Sequence, residues 1–102
     1  MTQLPTNRPP THPGEMRLEE FLKPLNISQV QLAEAMSVSY PRVNEIIHGK
    51  RGVTPDTALR LAQLFNTSAE LWLNLQLAYD LWHALRSPEA KKVSRLVPLV
   101  PA

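Results

Sequence analysis

Six residues in one short segment have side chains that can recognise the edges of DNA bases. An arginine can donate paired hydrogen bonds to guanine, an asparagine can pair with adenine, a glutamate can accept from cytosine, and tyrosine or proline can pack on a thymine methyl group. These six residues, which we call the candidate base readers for what their side chains can bind, are Ser39, Tyr40, Pro41, Arg42, Asn44 and Glu45. The sequence leaves open which of them reads which base.

Charged side chains are unevenly distributed along the chain. The formal net charge is only +2, with a pI of about 9.3. Residues 36–52 carry three cations against one carboxylate, and residues 86–102 carry four against one. The rest of the chain must therefore be net acidic. Such a local excess of cations suits a nucleic-acid partner, although so few charges make a slender positive patch.

Composition excludes several classes of protein. A chain of 102 residues, 43% hydrophobic and 20% charged, has the size and core of one soluble domain. The lack of cysteine excludes disulfides, thiolate zinc sites and cysteine nucleophiles. The longest apolar stretch, residues 71–85, is interrupted by polar side chains and is too short to span a membrane. The N-terminus lacks the pattern of a secretory signal, so we expect a cytoplasmic protein with no membrane partner.

The sequence contains no arrangement typical of an enzyme. His12, His48 and His83 are far apart, and none has a second ligand at metal-binding spacing. The chain has no glycine-rich phosphate loop, no H-E-x-x-H motif and no nucleophile elbow. We therefore expect no catalytic residues, no metal and no cofactor.

The elements that precede the candidate base readers are predicted from prolines, caps and periodicity. Four prolines among the first thirteen residues oppose helix and ladder hydrogen bonding, which predicts an extended, mobile arm over residues 1–12. From Gly14 to near Pro24, apolar residues recur at helical spacing and predict helix 1. Ser28 and Gln31 have the spacing of a capping box, which predicts a helix 2 of about two turns.

Helix 3 is predicted to carry the candidate base readers. Ser39 is a candidate N-cap, Pro41 is tolerated in the first turn, and Gly49 ends the helix. Val43 and Ile46 would anchor this helix to the core. The remaining side chains of helix 3 would then point outward.

Two longer helices follow. Thr54-Pro55 predicts the start of helix 4, which stops at Asn66. Thr67 and Glu70 have the spacing of another capping box, which predicts the start of helix 5. Helix 5 then runs from residue 68 to about residue 86, where a Ser-Pro pair breaks it.

Helix 5 has two apolar faces. We expect the first face to pack inside the domain; it consists of Leu71, Trp72, Leu75, Ala78, Tyr79, Trp82 and Leu85. A five-helix domain can hardly cover the second face as well, so we expect that face to contact a second copy of the chain. The predicted dimer interface consists of Leu73, Leu77, Leu81 and Ala84. The alternative is that both faces pack within one chain.

The centre of the chain resembles the DNA-binding helix-turn-helix of phage repressors and their bacterial relatives. The resemblance is carried by Ser28-Gln29, Leu32-Ala33, Ser37-Val38-Ser39, Val43, Ile46 and Gly49-Lys50. It implies an all-α, five-helix domain over residues 13–86, with the arm of residues 1–12 before it and a C-terminal tail of residues 87–102 after it. It also implies that helix 3 lies in the major groove with its first turn against the base edges.

The same resemblance implies which residues bind DNA phosphates. Gln29 matches the family position whose side chain binds a phosphate, and the free backbone amides around it also favour an anion. The full set is Ser28, Gln29, Lys50 and Arg51. A solvated polar turn is the alternative for Lys50 and Arg51. For Glu45, whose charge repels phosphate, an ion pair with Arg42 within the helix is the alternative.

Longer phrases narrow the resemblance to the HigA group of antitoxins, also called virulence-associated protein I. These phrases are residues 8–9, 12–15, 44–47, 49–51, 54–62, 72–76 and 79–81, within a match over about residues 8–85. Proteins of this group are dimers that bind the promoter of their own operon and neutralise a co-expressed HigB toxin, an mRNA-cleaving ribonuclease of the RelE type. The resemblance therefore implies three partners: double-stranded operator DNA, a HigB-like toxin and a second copy of the chain.

Two other functions stay open at this point. The chain could be a stand-alone helix-turn-helix repressor without a toxin, and the sequence does not separate that function from an antitoxin. It could also be a protein-interaction module that no longer binds DNA, which the slender positive patch and the carboxylate of Glu45 favour.

Overall fold

The computed structural model describes residues 10, 12–14 and 18–101. Within these residues the chain forms helices and no strand, which confirms the expected all-α fold. The helices are α1 (Glu19–Leu25), α2 (Gln29–Met36), α3 (Tyr40–Ile47), α4 (Pro55–Phe65), α5 (Ala69–Leu85) and α6 (Pro88–Ser94). In the described part of the chain, no helix has the length and hydropathy needed to cross a membrane.

Hydroxyl side chains begin four of the helices. The caps are Ser28, Ser39, Thr54 and Ser68, and each accepts a hydrogen bond from the backbone N–H three residues later. The capping box of Ser28 and Gln31 is confirmed. The box predicted for Thr67 and Glu70 is wrong, because Ser68 is the cap and the hydroxyl of Thr67 instead accepts from the Trp72 indole at 2.8 Å.

The C-terminal tail contains a helix that the sequence analysis missed. Ser87 and Pro88 end α5 as expected, but Pro88 also begins α6. A proline suits the first turn of a helix, because its fixed φ is helical and its missing N–H would have no partner there. The described residues therefore form six helices rather than the predicted five.

The core lies beneath α3 and around one tryptophan of α5. Trp72 is fully buried and packs against Phe21, whose ring also stacks on Phe65 with 4.9 Å between ring centroids. Val43 and Ile46, as predicted, are buried in the same cluster. This packing fixes the inner side of α3, and with it the side that faces solvent.

Residues 12–14 pack against the domain. His12, which we placed in a mobile arm, is instead buried, and its ring lies edge-on to Tyr79 with 4.9 Å between centroids. Its Nδ1 accepts a hydrogen bond from the backbone N–H of Gly14 at 3.0 Å. Gly14 lies so close to the carbonyl of Ile46 that a Cβ atom would collide with it. The rest of the predicted arm, apart from residue 10, lies outside the described residues, as do residues 15–17 of predicted helix 1.

Gln76 of α5 is a polar residue that the structure buries. Its Oε1 accepts from the backbone N–H of Val53 at 2.8 Å, and its Nε2 donates to Asp80 at 2.9 Å. The loop between α3 and α4 is thereby attached to α5. This polar side chain of α5 is therefore part of the framework that supports the end of α3.

We expect Gln76→Ala to lower the free energy of unfolding by about 1–3 kcal/mol, because the buried N–H of Val53 would lose its acceptor. Urea denaturation followed by circular dichroism measures this loss. Asn74→Ala, at an exposed position of the same helix, is the control and should change the unfolding free energy by about 0.5 kcal/mol or less. Equal effects of the two variants would contradict the assigned role of Gln76.

Candidate nucleic-acid interface

Helix α3 presents its first turn to solvent. The turn of residues 37–39 joins it to α2, and the two helices pack together. Val43, Ile46 and Ile47 are buried on its inner side, whereas Tyr40 and Pro41 are exposed at its start. An exposed helix held against a preceding one by a short turn is the geometry that allows insertion into a DNA major groove.

Ser39 has a structural role at the start of α3. Its Oγ accepts from the backbone N–H of Arg42 at 3.3 Å and caps the helix, which leaves the O–H of Ser39 as a donor. Tyr40 and Pro41, which follow it, are also exposed. This part of the surface therefore offers a base apolar contact from Tyr40 and Pro41 together with the hydroxyl donors of Ser39 and Tyr40.

The guanidinium of Arg42 is bound to the start of α4. Its Nη2 donates to Asp56 Oδ2 at 2.9 Å and to Thr57 Oγ1 at 2.7 Å, and the side chain is only 26% exposed. A guanidinium has two edges that can donate parallel hydrogen bonds, Nε with Nη2 and Nη1 with Nη2. Both edges include Nη2, and Nη2 has only two hydrogens. In this conformation Arg42 therefore lacks a free pair of donors for guanine, contrary to the sequence-based expectation.

Asn44 links the two helices of the motif. Its Nδ2 donates to Gln29 Oε1 at 2.9 Å and to the Tyr40 hydroxyl at 3.4 Å. Pairing with adenine needs a donor and an acceptor on the same amide. Asn44 would have to exchange at least one of these bonds, and the longer bond to Tyr40 is the weaker of the two. The link also places Gln29, predicted to bind phosphate, directly beside the predicted base readers.

Glu45 is paired with Arg51 and not with Arg42. Arg51 Nε donates to Glu45 Oε1 at 2.8 Å, and Arg51 Nη2 lies 2.8 Å from the same oxygen, with both side chains partly exposed. The alternative of an Arg42–Glu45 pair within α3 is therefore wrong. The carbonyl of Glu45 also accepts from the backbone N–H groups of Lys50 and Arg51, which fixes the loop. Arg51 thus offers a compensated charge to a phosphate, whereas Lys50 is exposed at the same loop.

Asp56 lies between two arginines. Its Oδ2 accepts from Arg60 Nε at 3.0 Å as well as from Arg42, and Arg60 in turn donates to the carbonyl of Met36 at 2.6 Å. The hydrogen bonds from Arg60 and then Arg42 hold the pKa of Asp56 below its ordinary value of 3.8. These contacts join the end of α2 to the starts of α3 and α4. The sequence analysis missed this network, although Asp56 and Arg60 stand at ion-pair spacing on one helix.

The predicted dimer face is exposed over most of its length. Leu77 and Leu81 are 62% and 53% exposed, and Ala84 is exposed beside them. Leu73 instead packs against the core and is a poor candidate for a contact between chains. Leu85, expected inside the domain, is exposed and extends the apolar face toward α6. The alternative in which both faces of α5 pack within one chain is therefore wrong.

Comparisons with known proteins agree with this geometry. Residues 18–72 match the helix-turn-helix family. Virulence-associated protein I of Dichelobacter nodosus is 45% identical over 91 residues, which are 89% of this chain and 82% of that protein. Antitoxin HigA-1 of Vibrio cholerae is 45% identical over 78 residues, 76% of this chain and 72% of that one.

A solved structure extends the likeness to three dimensions. The antitoxin HigA of Pseudomonas aeruginosa, solved with the higBA promoter, superposes with a TM-score of 0.79 at 42% identity and covers 89% of this chain and 99% of that one. The class of protein is therefore a helix-turn-helix regulator. Within this class, the chain belongs to the HigA-type antitoxin family.

Proposed function

We propose that this chain is the antitoxin of a toxin–antitoxin pair and represses its own operon as a homodimer on operator DNA. The observation that carries the proposal is the exposed first turn of α3, held outward by the buried side chains of Val43, Ile46 and Ile47. The relative solved with its promoter supports the same mode of binding. Such a role belongs in the cytoplasm, where the operon is.

The proposed contacts with DNA divide into base and phosphate contacts. Tyr40, Pro41 and Asn44 are exposed or partly exposed at the start of α3 and would face the base edges, while Ser39 caps the helix. Lys50, in the loop after α3, would bind a phosphate through its free charge. The further phosphate candidates are Ser28, Gln29 and Arg51, the last of which must share its charge with Glu45.

The proposed dimer uses the exposed apolar face of α5. Leu77 and Leu81 leave apolar surface in water that a second copy could cover, and Ala84 beside them allows close approach. A twofold dimer would place two α3 helices in successive major grooves, about 34 Å apart. Each copy would then read one half of a palindromic operator.

Toxin neutralisation is the second half of the proposal. It rests on the family, because relatives of similar length are antitoxins. The proposed partner is a HigB-like ribonuclease of the RelE type, and the RNA-cleaving chemistry belongs to that partner. We assign no catalytic step and no cofactor to this chain.

Lys50→Ala should weaken binding to operator and random duplexes by the same factor, because a phosphate contact carries no sequence information. We also expect the slope of log affinity against log salt to become shallower by about 0.9. Fluorescence anisotropy over a salt series measures both quantities. Lys92→Ala, which removes an exposed lysine of α6, is the matched control and should leave both unchanged. Affinity of the unmodified chain that does not respond to salt would favour the protein-interaction module instead.

Leu77→Glu should convert dimers to monomers, because the interface would have to bury an unpaired charge. Multi-angle light scattering gives the mass, and operator binding should weaken in the same variant. Leu25→Glu is the control, since Leu25 on α1 is exposed to a similar degree. A Leu77→Glu chain that keeps the mass of a dimer would contradict the assignment of this face.

Co-expression tests the proposed toxin partner. If a RelE-type ribonuclease is encoded beside this gene, its expression should arrest growth, and co-expression of this chain should restore growth. Co-expression of a frame-shifted copy of the gene for this chain is the control and should not restore growth. Growth arrest that this chain does not relieve would favour the stand-alone repressor.

A further inference from the structure

We infer that Asp56 is a specificity-determining residue that makes no contact with DNA and acts by positioning α3 through Arg42. This inference rests on the proposed binding of operator DNA. The carboxylate belongs to α4, outside the two helices of the motif, and the sequence analysis did not include it among the candidate site residues. Its Oδ2 nevertheless bonds to one arginine from α3 and one from α4.

The network around Asp56 connects three helix ends. Arg42, in the first turn of α3, donates to the carboxylate at 2.9 Å, and Arg60 donates to the same oxygen at 3.0 Å. Arg60 also donates to the carbonyl of Met36, the last residue of α2, at 2.6 Å. The end of α2 and the starts of α3 and α4 are therefore tied to a single carboxylate oxygen.

The Arg42 contacts should survive in the complex with DNA. To fork onto guanine, Arg42 must give up a bond to Asp56 or Thr57, because both of its paired edges use Nη2. The bond to the carboxylate is charge-assisted, whereas the acceptors on guanine are neutral. Giving up the carboxylate bond would leave Asp56 less compensated near the DNA phosphates, and giving up the Thr57 bond would break the shorter contact, at 2.7 Å, with a buried hydroxyl. Arg42 therefore acts as a brace for α3 and not as a paired base reader.

A brace of this kind affects specific and non-specific binding differently. Base contacts require the α3 side chains to meet fixed donors and acceptors, so a small rotation of α3 against α2 breaks them. Phosphate contacts from flexible side chains such as Lys50 adapt to the same rotation. The ratio of operator affinity to random-duplex affinity therefore measures how well Asp56 and Arg42 hold α3 in position. A change in overall charge cancels in this ratio, because it alters both affinities alike.

Asp56→Asn tests the inference in the full-length chain. The probes are a duplex from the region upstream of this gene and a shuffled duplex of the same length and composition. We expect the affinity ratio to fall about tenfold, the size of one lost base contact, with the unfolding midpoint little changed. Glu70→Gln is the matched control. Glu70 is the second residue after the N-cap of α5, as Asp56 is the second residue after the N-cap of α4. It should leave the ratio unchanged.

A double-mutant comparison shows whether Asp56 acts through Arg42. Arg42→Ala should lower the ratio by a similar factor, and Arg42→Ala with Asp56→Asn should lower it no further than either change alone. Asp56→Glu, which keeps the charge, should have a higher affinity ratio than Asp56→Asn.

Three results would overturn the inference. The first is an Asp56→Asn chain that binds the operator more tightly with a raised ratio, which would mean that Asp56 competes with DNA for a base-reading Arg42. The second is an unchanged ratio, and the third is an additive loss in the double variant. If the unmodified chain itself shows no preference for the upstream duplex, the proposed function is contradicted, and the inference, which rests on it, is contradicted as well.

Discussion

Burial of one side of α3 is the constraint on which the rest of the molecule depends. A helix of eight residues is too short to be stable alone in water, so its position must come from packing and capping. Val43, Ile46 and Ile47 bury its inner side, and Ser39 caps its start. Since successive helical residues are spaced by about 100°, fixing these three positions turns the intervening side chains toward solvent. The side of α3 proposed to read DNA is thus determined by which of its side chains are buried in the core.

Features decided by neighbouring residues could be predicted from the sequence. The caps at Ser28, Ser39 and Thr54 and the helix end at Asn66 depend on local backbone and side-chain chemistry, and all were predicted. Where two adjacent hydroxyl residues compete, local chemistry is less decisive: Ser68 is the cap and Thr67 serves the indole of a buried tryptophan. The helix α6 was missed for a similar reason. A proline that ends one helix can start the next, and the sequence pattern for the two outcomes is the same.

Contacts between distant residues could not be predicted. Arg42 reaches Asp56, fourteen residues on, and the backbone N–H of Val53 reaches Gln76, twenty-three residues on. A long arginine can meet any of several carboxylates, and only the packing angle between α3 and α4 decides which. Helical periodicity likewise does not show that Gln76 is buried and bound to the backbone of Val53. The helix that carries the candidate site was therefore predicted, while the hydrogen bonds that occupy its donors were not.

The internal pairing of cations also relates the two exposed faces of the molecule. Arg42 is bound to Asp56 and Arg51 to Glu45, so among the predicted DNA contacts of the described residues only Lys50 carries a charge without such a pair. One copy would then attract DNA weakly, because affinity for the phosphate backbone grows with each uncompensated cation. A dimer removes this weakness without new charges, since binding of one half-site raises the effective concentration of the second copy at the other half-site. In the proposed complex, tight operator binding therefore depends on the apolar face of α5 as much as on α3 itself.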